Sequence, residues 1–551
     1  MLKPNIQVFI IFMWYLCSAN TTFAYSRQDT LRGSNGSGRS WWDVIAYSLH
    51  VEFDTANKSI SGQSIIDYKL TDTSVNDSIQ IDLQEPMILD SAYANGKKVG
   101  YSRDGNVYWL TRIGGFENNE RGTIVLYYHG IPRVAKQPPW DGGFIWAKDS
   151  TGKPWISVAC QGLGASSWWP CKDYQGDEPD FGIHITLRVP HGLKAISNGK
   201  LLTPMAGMDD NPISVFRWQV KNPINLYNVA FYIGDYGYIS DTLLGENGRM
   251  KVTYYPLRYN EERAKKHFAV AKQMLHCFEH WMGPYPFYED GYKLVEAPFL
   301  GMEHQSAIAY GNEYKMGYKG SDRSATGAGL LFDFIIIHES GHEWYGNNIT
   351  ASDIADNWIH EGFTTYTEAL FLECAFGKEK AFEYTRGQWK NILNNRPVIG
   401  DYGVNDSGPG DKYDKGSAIV HMVRTMMNDD EKFRQMLRDM NKEYHHSFVS
   451  TGDIEQFMIK HSRLDLIAFF EQYLRTSKIP KLEYYIKKKR KKRTLYYRFT
   501  NTVNGFNLPI EVTGGQLREN ITITNEWQNI DWTNGGYNVK FSKDFLINLK
   551  L

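Results

Sequence analysis

The tightest constraint in this 551-residue chain is a pair of spacings. His338-Glu339-Ser340-Gly341-His342 lies in an apolar run with helical periodicity. Residues four apart share one helical face, so both imidazoles project the same way. Glu361 follows after eighteen intervening residues, at the start of the next helical run. Chance supplies only about 0.02 matches to His-Glu-x-x-His in a chain with 15 His, before Glu361 is required as well. Two imidazoles and two carboxylates turned into a core are costly unless a cation answers them. The pattern therefore demands two helices packed around one metal ion. Two His and one Glu with an open fourth position are a catalytic zinc donor set, and Glu339, one step round the helix, reaches a water on that metal. The alternative third ligand, a His six residues beyond His342, is excluded because Tyr345 and Asn348 stand where that pattern needs Gly and His.

The flanking sequence divides into three parts. Residues 41–245 alternate apolar and polar in short segments broken by Gly, Asn and Asp, the signature of an antiparallel β domain. Residues 246–478 are mainly helical; a first helix after residue 258 stops at Gly283-Pro284. Strand patterning returns over 479–551 and predicts a small β-sandwich. The fold class is thus multidomain α+β, with a mainly α central domain. The basic run Lys487 to Arg493 falls between two strand-like segments and reads as a solvated hairpin tip.

Charge and cysteine usage narrow the function. Lys plus Arg total 61 and Asp plus Glu 62, a net charge of −1, which removes nucleic acid as a default partner. Five cysteines without a C-x-x-C pair make no disulfide scaffold, so stability is expected from packing; the spacing of Cys160 and Cys171 leaves their pairing open. Lys3, the apolar run from Ile6 to Cys17, and Thr22-Phe23-Ala24 read as a signal peptide over 1–24, followed by a Gly, Ser and Arg-rich flexible leader over 25–40. Export to the periplasm, cell surface or medium is expected, with no membrane span left after cleavage.

The run HESGHEWYGNNIT…DNWIHEGFTTYTE, with Trp344, Gly346, Asn347, Thr350, Trp358 and Gly362 around the ligands, resembles the gluzincin aminopeptidases of peptidase family M1. The resemblance covers about residues 41–480, looks like a short, bacterial-type member, and implies a saddle-like N-terminal β domain followed by a thermolysin-like catalytic domain. It implies a zinc aminopeptidase that takes peptides with a free N-terminus and holds one zinc through His338, His342 and Glu361. Glu339 would be the catalytic base, and Glu368, two turns beyond Glu361, would orient a zinc His. Gly301-Met302-Glu303 resembles the family's G-x-M-E-N motif, so Glu303 would bind the substrate's ammonium; Leu300 and His304 depart from that motif. Gln161 matches a family Gln that approaches the same amine. Tyr413, in a Y-x-K-G motif, would stabilise the oxyanion. His360 replaces the usual Asn before the ligand Glu and is not taken as a ligand. Rival readings are a thermolysin-type endopeptidase, an epoxide hydrolase and a non-catalytic peptide-binding module. With no length for a large helical lid, the cleft is expected to be open and clear of residues 481–551.

Overall fold

A computed structural model describes residues 25–72, 78–111, 121–205 and 212–550. The signal peptide expected over 1–24 falls outside the described residues, and no described helix is long and apolar enough to cross a membrane.

The expected flexible leader is instead ordered. Helix α1 (Arg27–Gly33) begins with a capping box in which Ser26 and Asp29 satisfy each other's backbone N–H groups. Beyond it Arg39 is fully buried and pairs with Asp82 at 2.6 Å, while Arg32 Nη1 donates to Asp173 O at 2.7 Å. Polar composition looked like a linker because side-chain bonds to buried carboxylates, rather than apolar periodicity, knit it to the domain.

The N-terminal domain is built on an eight-stranded sheet. Its order is Lys200–Met205, Ile213–Val220, Ile183–Pro190, Trp42–Asp54, Ser59–Leu70, Arg121–Gly130, Ile88–Ala94, Lys97–Val99. Trp42–Asp54 alternates buried and less buried positions as a one-sided strand should. Pairing is antiparallel except where Trp42–Asp54 runs parallel to Ile183–Pro190, with Tyr47 opposite Ile183. A four-stranded sheet and a three-stranded sheet complete the domain.

The central domain contains α2 (Glu261–His267), α3 (Val270–Met282), α4 (Phe334–Gly341), α5 (Trp358–Phe376), α6 (Lys378–Gln388), α7 (Asp411–Met427), α8 (Asp430–Glu443), α9 (Thr451–Ser462) and α10 (Ile467–Leu474). It also holds a five-stranded sheet in the order Ile239–Gly245, Gly248–Tyr255, Tyr292–Glu296, Ile308–Tyr310, Gly301–Met302. Sequence patterning gave little sign of this sheet because all five residues of Tyr292–Glu296 are buried, and a strand covered on both faces shows no alternation. One face, with Tyr254, Leu294 and Ile308, joins the core beneath the helices. The other, with Tyr255, Val295 and Ala309, joins the core of the N-terminal domain. The sheet is the wall between two hydrophobic cores. A disulfide between Cys277 on α3 and Cys374 on α5 corrects the expectation of packing alone, while Cys160 and Cys171 are free and buried.

The C-terminal strands form a four-stranded and a three-stranded sheet. Lys481–Lys489 and Lys492–Thr500 make the hairpin whose tip is the exposed basic run, with Lys489 opposite Lys492. Leu482, Phe499, Ile510 and Trp532 continue the core of the helical domain without a break.

Candidate active site

Helix α4 forms against its local propensity, since three consecutive Ile favour strands. Tertiary packing decides, because every residue of α4 is buried. Asp333 caps it, accepting from Ile335 N at 3.0 Å and Ile336 N at 3.3 Å. The same carboxylate takes hydrogen bonds from Tyr310 and His267, each at 2.7 Å, which ties the helix start to the central sheet.

The two spacings meet as the sequence requires. His342 Nε2 lies 3.3 Å from Glu361 Oε2, and His338 Nε2 lies 3.8 Å from it. Two donors each about 2.1 Å from a tetrahedral ion stand about 3.4 Å apart, so these side chains fit zinc. Glu361 Oε2 is buried and has no hydrogen-bond partner. The opposite ring nitrogens are committed elsewhere: His338 Nδ1 to Glu368 Oε1 at 2.7 Å and His342 Nδ1 to Tyr345 O at 3.0 Å. Those bonds leave both Nε2 lone pairs facing Glu361. Glu303, Glu339 and His342 also bring ligand atoms within 4.8 Å of one another. Glu303 is already engaged by protein donors, so the trio containing Glu361 is the better donor set.

The electrostatics call for a cation. Burial opposes a charged His338, yet Glu361 and Glu368 overcome it and raise its pKa to about 10. His342 is raised by Glu303 and Glu361 against the same burial penalty. Burial works against the Glu361 carboxylate, but His342 and His338 pull its pKa well below the usual range. Glu339 is pushed up to about 7 by burial, with Glu303 and Glu361 adding to the rise. Gly301 has no Cβ, which would come within 2.8 Å of Glu339 Oε1.

Glu303 follows Gly301–Met302, the outer strand of the central sheet. Gln161 Nε2 reaches across from the N-terminal domain and donates to Glu303 Oε1 at 2.6 Å. Tyr227 adds a bond at 3.0 Å to the same oxygen. Sequence reasoning missed Tyr227, a lone tyrosine in a short 3-10 turn with no motif around it. The two departures from the motif differ in position. Leu300 lines the cleft, whereas His304 is buried against Tyr232 at 2.6 Å, neutral because burial lowers its pKa to about 3. His360 also turns away, accepting from Ala351 N at 2.7 Å.

Tyr413 lies in the first turn of α7, its ring stacked 6.0 Å from that of His338. Burial, with Glu361 and Glu303, holds its phenol protonated well above the usual range. A close crossing puts it there. A Cβ on Gly362 would lie 2.8 Å from Gly416 Cα, so α5 and α7 touch one residue after Glu361 and three after Tyr413. Neither glycine was singled out for this contact from sequence. The cleft holds about 510 Å³ and is lined by Gln161, Met302, Glu303, Glu339, Tyr413 and Trp140 among others; none of its walls comes from 481–550.

Comparison with known proteins agrees with this geometry. Residues 267–473 match the model of the peptidase family M1 domain. Human aminopeptidase B is 26% identical over 380 residues, covering 64% of this chain and 53% of the relative. Leukotriene A-4 hydrolase of Xenopus laevis is 22% identical over 320 residues, 55% and 49% of the two chains. The chain thus spans about half the length of these relatives. A crystal structure of an M1 zinc metallopeptidase variant from Deinococcus radiodurans, bound to a Tyr-Ser-Ala substrate, superposes with a TM-score of 0.65 at 19% identity. That match covers 80% of this chain and 95% of the other.

Proposed function

Residues 267–473 form a peptidase family M1 domain, and from that premise we propose that the chain is a zinc-dependent aminopeptidase removing the first residue from peptides. One observation carries the reading: Glu303, held by Gln161 and Tyr227, shares one cleft with the His338, His342 and Glu361 donor set. An internal stretch of peptide brings no cation for Glu303, whereas a free N-terminus brings one.

Zinc bound by His338, His342 and Glu361 would polarise the scissile carbonyl and lower the pKa of its water. The protein's own groups do the rest. Glu339 accepts a proton from the attacking water and returns it to the leaving amine. Tyr413 stays protonated and donates to the oxygen on which negative charge develops. Glu303 and Gln161 fix the ammonium one residue from the scissile bond, which sets the register of cleavage.

The test is hydrolysis of aminoacyl reporters by the purified chain, with and without a chelator, beside metal analysis. Chelator-sensitive turnover at one zinc per chain supports the reading. Cleavage of N-acetylated peptides at internal bonds, with no aminoacyl turnover, overturns it in favour of an endopeptidase. The segment from Lys3 to Ala24 supports export as part of the same proposal, and N-terminal sequencing of secreted protein checks it.

A further inference from the structure

Two Lys or Arg side chains line the cleft, and they differ in what they face. Arg323 is satisfied: it pairs with Asp414 at 3.2 Å and lies over the ring of Phe334. It shares its field with Tyr413, and through Tyr318 with the neighbourhood of Glu339.

Lys412 lines the same cleft as Glu303 and the donor set. Its strongest carboxylate neighbours by field are Glu361, Asp406 and Glu303. Among the described residues no carboxylate lies within 4.0 Å of its Nζ. The ammonium donates only to Ser407, at 2.9 Å to Oγ and 3.3 Å to the carbonyl. It stands 5.8 Å from the centre of the Tyr413 ring. The nearby acid Asp406 is occupied by Arg396 at 2.6 Å, and Asp411 by the backbone N–H groups of Leu393 and Asn394. A half-buried ammonium that neutral oxygens alone satisfy gains most from an anion brought to it.

We propose that Lys412 reads the side chain of the substrate's first residue, and that the chain favours peptides beginning with Glu or Asp. The inference rests on the aminopeptidase reading. With the ammonium of that residue at Glu303 and its carbonyl at the donor set, its side chain lies in the cleft that Lys412 also lines. Glu303 and Lys412 together then match the two opposite charges of an amino-terminal acidic residue. A first Lys or Arg meets repulsion at the same place.

The experiment compares glutamyl, glutaminyl, leucyl and lysyl reporters on the zinc-loaded chain, with K412M, K412E and K412R beside the wild type. Wild type prefers glutamyl over its neutral isostere glutaminyl. K412M lowers the glutamyl-to-glutaminyl ratio of kcat/KM at least tenfold, K412R restores most of it, and K412E moves preference toward lysyl. Calorimetric binding of L-glutamate against L-glutamine follows the same order. A glutamyl-to-glutaminyl ratio that K412M leaves unchanged, with reporters still hydrolysed, overturns the role of Lys412 alone. Absence of hydrolysis of every reporter by the zinc-loaded wild type overturns both this inference and the aminopeptidase reading.

Discussion

Replacing Glu368 tests whether the metal site is built as two layers. Its carboxylate is fully buried and accepts from His338 Nδ1 at 2.7 Å, Tyr384 Oη at 2.5 Å and Gln388 Nε2 at 3.0 Å. Glu368→Gln keeps the shape but offers one acceptor oxygen and an NH₂ that faces a second donor. It also removes one of the three carboxylates, Glu361, Glu368 and Glu339, that raise the basicity of His338. Loss of such a partner costs metal affinity about 10- to 100-fold, or about 1.4 to 2.7 kcal/mol. Glu368→Ala adds the cost of leaving three buried donors without an acceptor, about 1 to 3 kcal/mol for each. The measurements are zinc Kd by competition with a fluorescent chelator and the melting temperature of the metal-free protein. Glu368→Gln is expected to shift mainly the first, and Glu368→Ala both. A zinc Kd within twofold of wild type in both variants refutes the argument that this carboxylate prepares the ligand ring.

Other perturbations separate the remaining parts. Glu339→Gln retains one zinc per chain and loses about 10²- to 10⁴-fold in kcat, the range for a general base; wild-type turnover would remove Glu339 from the mechanism. Glu303→Ala costs about 10²- to 10³-fold in kcat/KM on aminoacyl reporters through loss of a buried charge pair, and metal analysis should show zinc retained. Burial raises the Glu178 pKa to about 8 although Thr350 donates to it. A raised acid pKa favours the folded state at low pH, so its contribution is complete below about 4.5 and lost as pH rises through about 8. Glu178→Gln therefore melts with wild type at pH 4 and above it at pH 9, by at most about 5 kcal/mol at 1.36 kcal/mol per unit; equal stabilities at pH 9 contradict this. Arg32→Met frees the loop that carries Gln161, because Arg32 also donates to Leu163 O at 3.4 Å. A several-fold rise in KM is expected, and an unchanged KM would reduce the N-terminal segment to packing.

What the sequence made legible followed from short periods. His338 and His342 could be placed because a helix returns to one face every fourth residue, Glu361 because it opens the next helical run after eighteen residues, and Glu368 because it falls on the Glu361 face at a position the family resemblance singles out. Glu303, Gln161 and Tyr413 carry no periodicity of their own, and only resemblance to a family singled them out. Tyr227 had neither kind of signal. The central sheet was hidden by burial on both faces, and the pairing of Cys277 with Cys374 joins residues 97 apart with nothing local to announce it. The ordered leader was hidden for the opposite reason: Arg32 and Arg39 look like solvated charges until Asp173 and Asp82 are known to be beside them.

The wall between the two cores has a consequence for how the enzyme fails. Gln161 belongs to the N-terminal domain, while the metal ligands, Glu339 and Tyr413 lie on or at the ends of α4, α5 and α7 of the central domain. A slip of one body along that wall by a single hydrogen-bond length parts Gln161 from Glu303 and leaves the ligand set intact. On the proposed reading, the Gln161 contact to the substrate's amine can then be lost separately from bond cleavage. Under mild denaturant KM rises while kcat and bound zinc hold, and inactivation proceeds in two stages rather than one.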